Sequence, residues 1–87
     1  MLNLVADENM PAVEALFGDF AKVTRLAGRE MQAGDLANAD ILLVRSITSV
    51  NDALLAEAAQ LKFVGTATIG TDHLDTHALE SRAIGYT

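Results

Sequence analysis

Cysteine is absent from this chain of 87 residues, and so is tryptophan. Without thiols there is no disulfide framework and no thiolate metal site. A reducing, intracellular setting fits that composition. Proline occurs once and about half of the residues are hydrophobic, which excludes a disordered chain. Basic residues are scarce, with six Lys and Arg against twelve Asp and Glu and a net charge of −6. That balance argues against nonspecific nucleic-acid or anionic-membrane binding. It says little about one small anion, which needs only a local cluster of donors. No apolar run approaches the roughly 18 residues of a membrane span. The opening "MLNLVADENMP" lacks the basic start and apolar stretch of a signal peptide. Three signatures are also missing: the dinucleotide pattern G-x-G-x-x-G, the P-loop Gly-Lys-Ser/Thr and the serine elbow G-x-S-x-G.

What is present is an alternation of strand-like and helix-like segments. The length points to one domain at most, with a thin margin for a core. "LNLVA" (2–6), "KVTRL" (22–26), "DILLVRS" (40–46), "KFVGT" (62–66) and "IGYT" (84–87) read as strands. Four consecutive apolar residues, Ile41 to Val44, predict a strand covered on both faces. Between the strands, "PAVEALFGDF" (11–20) puts Val13, Leu16, Phe17 and Phe20 on one helical face. Pro11 suits the first turn of that helix, with Asn9 or Met10 at its cap. "MQAGDLANA" (31–39) is a weak helical signal around Leu36. Asn51 caps "DALLAEAAQL" (52–61), with Leu54, Leu55, Ala58 and Leu61 inward, and Asp75 caps "THALESRA" (76–83).

Such an alternation predicts a parallel, doubly wound α/β sheet with right-handed crossovers. The flavodoxin-like order 2-1-3-4-5 is the natural candidate. In these sheets ligands bind beyond the carboxyl ends of the strands, near the topological switch point. That rule selects "DENM" after the first strand, "RSITS" after the third and "TATIGTD" after the fourth.

Each segment carries a functional and a bland reading. In "TATIGTD", Gly65 and Gly70 allow close approach of a ligand to the backbone. Exposed backbone N–H groups and threonine hydroxyls are donors for a carboxylate or phosphate. An ordinary strand-to-helix loop has the same composition. Arg45 can grip an oxyanion with two parallel N–H bonds, and Ser46 can donate to a ligand oxygen. The bland reading pairs Arg45 with a nearby carboxylate. Asp72, His73, Asp75 and His77 contain two histidines four apart, but a complete ligand set for a metal is missing. They read instead as a helix start, with Asp72 or Asp75 capping and both histidines at the surface. Asp7 and Glu8 match the acidic pair of a phospho-receiver domain, which needs an aspartate after the third strand. Arg45 and Ser46 stand there, so Asp7 and Glu8 are expected to shape the loop or cap the first helix.

Three separated segments, "LVADENMP", "LLVRSITSVN" and "KFVGTATIGTDHLD", occur in order and at matching spacing. Together they closely resemble the N-terminus of the D-2-hydroxyacid dehydrogenase family, and "DENMP" and "VRS-T" resemble its 4-phosphoerythronate branch. The resemblance spans essentially all 87 residues. It implies hydride transfer from a 2-hydroxy acid to NAD, in that branch within pyridoxal phosphate (vitamin B6) biosynthesis. It implies a flavodoxin-like substrate domain with an inserted Rossmann domain, residues 1–87 being the first part of a truncated substrate domain. It places substrate contacts at Ser46 and Thr68, with Arg45 and the backbone at Gly70 as further anion donors. The family's catalytic arginine, glutamate and histidine, and its NAD-binding glycines, come later in the chain. His73 and His77 do not match the catalytic histidine. The 87 residues alone are therefore expected to be inactive, with no catalytic, cofactor-binding or metal residue among them. The resemblance also implies a cytoplasmic enzyme that forms a homodimer through segments beyond this stretch. A free-standing flavodoxin-like module that binds a small anion, without catalysis, is the alternative reading.

Overall fold

In a computed structural model of the chain, which describes residues 2–10, 13–45, 47–66 and 73–86, five strands form one parallel sheet. They are β1 (Leu2–Asp7), β2 (Ala21–Leu26), β3 (Ile41–Val44), β4 (Phe63–Thr66) and β5 (Gly85–Tyr86). Their order is β2-β1-β3-β4-β5, as the alternating pattern predicts. Registers run Leu2 to Ala21, Leu4 to Ile41, Ile41 to Phe63 and Phe63 to Gly85. β1 lies at the switch point, with β2 on one side and β3 on the other.

The helices are α1 (Val13–Phe17), α2 (Asp52–Leu55) and α3 (Thr76–Ser81), all shorter than the apolar spacing suggested. The asparagine and aspartate caps form as expected: Leu54 donates its N–H to Asn51 Oδ1 at 3.0 Å, and Ala78 to Asp75 Oδ1 at 3.0 Å. Each cap satisfies one of the unpaired N–H groups of a helix start. α2 stops at Leu55, yet Ala58 is half-buried and Leu61 buried, held by turns rather than by a helix. α1 stops at Phe17, so Phe20 leaves the expected inward face and is 49% exposed, with its ring edge-on to Phe17. The weak signal at 31–39 becomes a 3-10 turn, Ala33–Leu36, which still buries Leu36. A second 3-10 turn, Gly28–Glu30, follows β2.

The sheet divides the core in two. Val5, Leu42, Val44 and Val64 pack with Leu36, Leu54, Leu55 and Leu79 on the face that carries α2, α3 and the 33–36 turn. Leu4, Ala6 and Leu43 pack with Val13 of α1 on the other. β3 is thus covered on both sides, which its unbroken apolar run anticipates. Among the described residues no helix is long and apolar enough to cross a membrane.

Candidate functional site at the carboxyl edge of the sheet

Parallel pairing brings the ends of β1, β3 and β4 to one edge, where Asp7, Arg45 and Thr66 stand. The crevice between β1 and β3 is the switch point, the usual ligand position in an open α/β sheet. Asp7 is fully buried there. Its Oδ1 accepts the N–H of Asn9 at 2.8 Å, which closes the turn after β1. Arg45 reaches across the crevice, placing Nη1 3.8 Å from the same oxygen. That separation is an ion pair beyond hydrogen-bond range. The Arg45 side chain keeps 37% of its surface exposed.

A second layer holds these groups. Thr48 is buried and donates its hydroxyl to the Gly28 carbonyl at 3.0 Å. Its N–H closes a turn onto the Arg45 carbonyl at 3.1 Å. Gly28 comes so close that a Cβ there would overlap Asp7 Oδ2 and stand 2.8 Å from Thr48 Oγ1. Only glycine lets the loop after β2 approach the carboxylate in this way. Arg25 braces the outer turn, its guanidinium donating to the carbonyls of Met10 at 2.7 Å and Glu8 at 3.1 Å.

β3 and β4, and the residues that follow at Val50 and Leu74, pair with each other. Val44 and Thr66 are the last partners of the ladder. Further on, Val50 donates to the His73 carbonyl at 2.9 Å and accepts from the Asp75 N–H at 2.7 Å, a parallel bridge between Val50 and Leu74. Thr66 Oγ1 and His73 Nε2 meet at 2.8 Å. Backbone pairing therefore joins the chain before the two donor-rich segments, at Val44 and Thr66, and after them, at Val50 and Leu74.

Of the expected site residues, Arg45 is brought to the crevice and does pair with a carboxylate, Asp7. Ser46, Thr68 and Gly70 lie outside the described residues, as does Asp72. His73 is not the surface histidine that was expected: it is half-buried and bonded to Thr66, whereas His77 is exposed. Among the described residues no group of three His, Cys, Asp or Glu could hold a metal ion. Sequence reasoning missed Gly28, Thr48 and the full burial of Asp7. A charged residue directly after an apolar strand was the available signal for Asp7, and nothing local marked Gly28 as its neighbour.

A family model described as D-isomer specific 2-hydroxyacid dehydrogenase, catalytic domain, matches residues 3–87. The chain belongs to that family. It is 59% identical over 86 residues to the erythronate-4-phosphate dehydrogenase of Tolumonas auensis, a match covering 99% of this chain and 23% of that protein. The erythronate-4-phosphate dehydrogenase of Shewanella amazonensis is 55% identical, with the same coverage. The chain thus spans about a quarter of the length of these curated relatives. Among solved structures, the D-lactate dehydrogenase of Aquifex aeolicus, complexed with NAD and lactic acid, superposes with a TM-score of 0.79 at 20% identity. That match covers 98% of this chain and 27% of that one, and it confirms the fold.

Dehydrogenases of this family use NAD, and the described residues do not fit a dinucleotide. The first strand-to-helix turn carries Asp7 and Glu8 in place of glycines. The helices have only five, four and six residues, and a pyrophosphate site needs a glycine turn opening a well-formed helix.

Proposed function

We propose that this chain is the N-terminal part of the substrate-binding domain of an NAD-dependent 2-hydroxyacid dehydrogenase acting on erythronate 4-phosphate. The observation that carries this reading is the 59% identity over 86 residues to a dehydrogenase of that name. The reaction is oxidation of the 2-hydroxyl to a 2-oxo acid, with hydride leaving C2 for the nicotinamide and a proton leaving the hydroxyl for a base. The base and the dinucleotide site belong to the rest of the full-length enzyme, in the inserted Rossmann domain and the segments around it. A role in pyridoxal phosphate synthesis and a cytoplasmic homodimer are part of the same reading.

The reading assigns the substrate contacts to the carboxyl edge of the sheet. Ser46 and Thr68 would donate to the substrate's oxygens, with Arg45 and the Gly70 backbone as further donors to its anionic groups. The pairings that flank these residues, Val44 with Thr66 and Val50 with Leu74, support this reading, since donors held in one orientation lower the barrier of a later step. With the base and cofactor site elsewhere, the 87 residues alone do not reduce NAD.

The test is a chimera, the Tolumonas auensis enzyme carrying this chain in place of its own matching 86 residues. It should oxidise erythronate 4-phosphate with NAD. Ser46→Ala and Thr68→Ala should each weaken substrate use about 10- to 100-fold, the worth of one hydrogen bond to a charged group. The KM for NAD should hold. An inactive, folded chimera would contradict the reading, and anion binding by the isolated chain without any dehydrogenation would favour a binding module.

A further inference from the structure

Among the described residues Asp7 is the one charged side chain that is fully buried. Its Oδ2 has no hydrogen-bond partner. Burying a carboxylate is costly unless its charge is used. The turn after β1 does not use it, because the Asn9 N–H needs only one acceptor oxygen and an amide would serve. The group placed to use the charge is Arg45, 3.8 Å away across the switch-point crevice. The surroundings keep the carboxylate in place for it. Gly28 packs on Oδ2 with no room for a Cβ, and Thr48 pins the Gly28 carbonyl while its own N–H closes the turn that begins at Arg45.

We propose that Asp7 is a positioning residue: its buried carboxylate holds the Arg45 guanidinium over the crevice between β1 and β3, ready for the substrate's anionic group. This rests on the dehydrogenase reading above. An unanchored arginine spreads over many rotamers and must be ordered when the anion binds. With Asp7 behind it, part of that ordering is in place before binding. The pair is long and Arg45 stays more than one-third exposed, so the guanidinium keeps N–H groups for a ligand.

The experiment uses the chimera described above. Asp7→Asn keeps the volume and the acceptor for Asn9 while removing the charge. The KM for erythronate 4-phosphate should rise about tenfold, with kcat and the KM for NAD within about twofold, because only substrate binding loses its pre-ordered donor. Arg45→Ala should raise the same KM, and adding Asp7→Asn to it should cost nothing more, since a residue that acts through Arg45 is silent without it. A purely structural aspartate would instead lower the melting temperature and add its effect to that of Arg45→Ala. An unchanged or lower KM in Asp7→Asn, or additive effects, would overturn the positioning role while leaving the enzyme reading intact. A chimera without dehydrogenase activity would overturn both. If Asp7→Asn does not fold, the Arg45 Nε–H of the unmutated protein decides by nuclear magnetic relaxation. An order parameter above about 0.6 supports an anchored guanidinium, and a lower one refutes it.

Discussion

Tyr86 is the only tyrosine in a chain without tryptophan, so one side chain can be titrated cleanly by absorbance. Its hydroxyl donates to Glu80 Oε2 at 2.6 Å, tying β5 back to α3. The hydrogen bond to the Glu80 carboxylate, followed by partial desolvation and the charge of Glu80, holds the phenol above its ordinary pKa of 10.0. A raised folded pKa means the protonated form is favoured by the fold. That contribution is complete below pH 10.0 and is lost as pH rises through the folded value. Absorbance titration of the tyrosinate should therefore give a midpoint above 10.0 in the native chain, and Glu80→Ala should return it toward 10.0. An identical midpoint in the two proteins would show that the pair does not form in solution.

The end of α3 holds a residue in a conformation it does not favour. Ala83 has φ of 57°, the left-handed turn that closes the helix. It lets Ala83 donate to the Glu80 carbonyl at 3.1 Å and Ile84 to the Leu79 carbonyl at 2.9 Å, turning the chain directly into β5. Glycine is the usual residue at such a position. Ala83→Gly should stabilise the chain by roughly 1 kcal/mol, read as a higher denaturant midpoint at unchanged slope, because relief of the left-handed strain exceeds the glycine's added freedom when unfolded. At this scale, local chemistry sets what the sequence reveals. Asn51 and Asp75 announce their helices because a cap is a short-range signal. β1 and β3 are legible as short apolar runs, and β2 as an alternation of apolar and polar residues. Helix lengths are not, because Leu61 and Phe20 keep the helical spacing after the helices have ended. The site is legible only in part: the switch-point rule selects the turn after β1 and Arg45, which meet in the crevice, while Asp7, Gly28 and Thr48 meet only through contacts 20 or more residues apart.

The whole molecule is a doubly wound sheet with unequal cover. Among the described residues, α2, α3 and the 33–36 turn pack on one face, and α1 packs on the other. On the α1 side, register puts Phe63 beside Ile41 and Gly85, two strands across the sheet from Leu4. Phe63 is 36% exposed, Leu2 38% and Phe20 49%. The exposed area of 4969 Å² is ordinary for a chain of 9.2 kDa, so the chain is compact and the imbalance lies in which atoms face water. Apolar surface of this kind promotes association. The isolated 87 residues should sediment with an average mass that rises with concentration, and should bind an apolar dye. Replacing Phe63 by Lys should suppress both without disturbing the ladder, because the side chain stands off the sheet while the backbone pairs with Ile41 and Gly85. The chimera should bind less dye per molecule than the isolated chain, because the remaining three-quarters of the enzyme would then cover the face. A sharp melt of the isolated chain well above about 60 °C, independent of concentration, would mean that enough of that face is covered for this sheet to stand by itself.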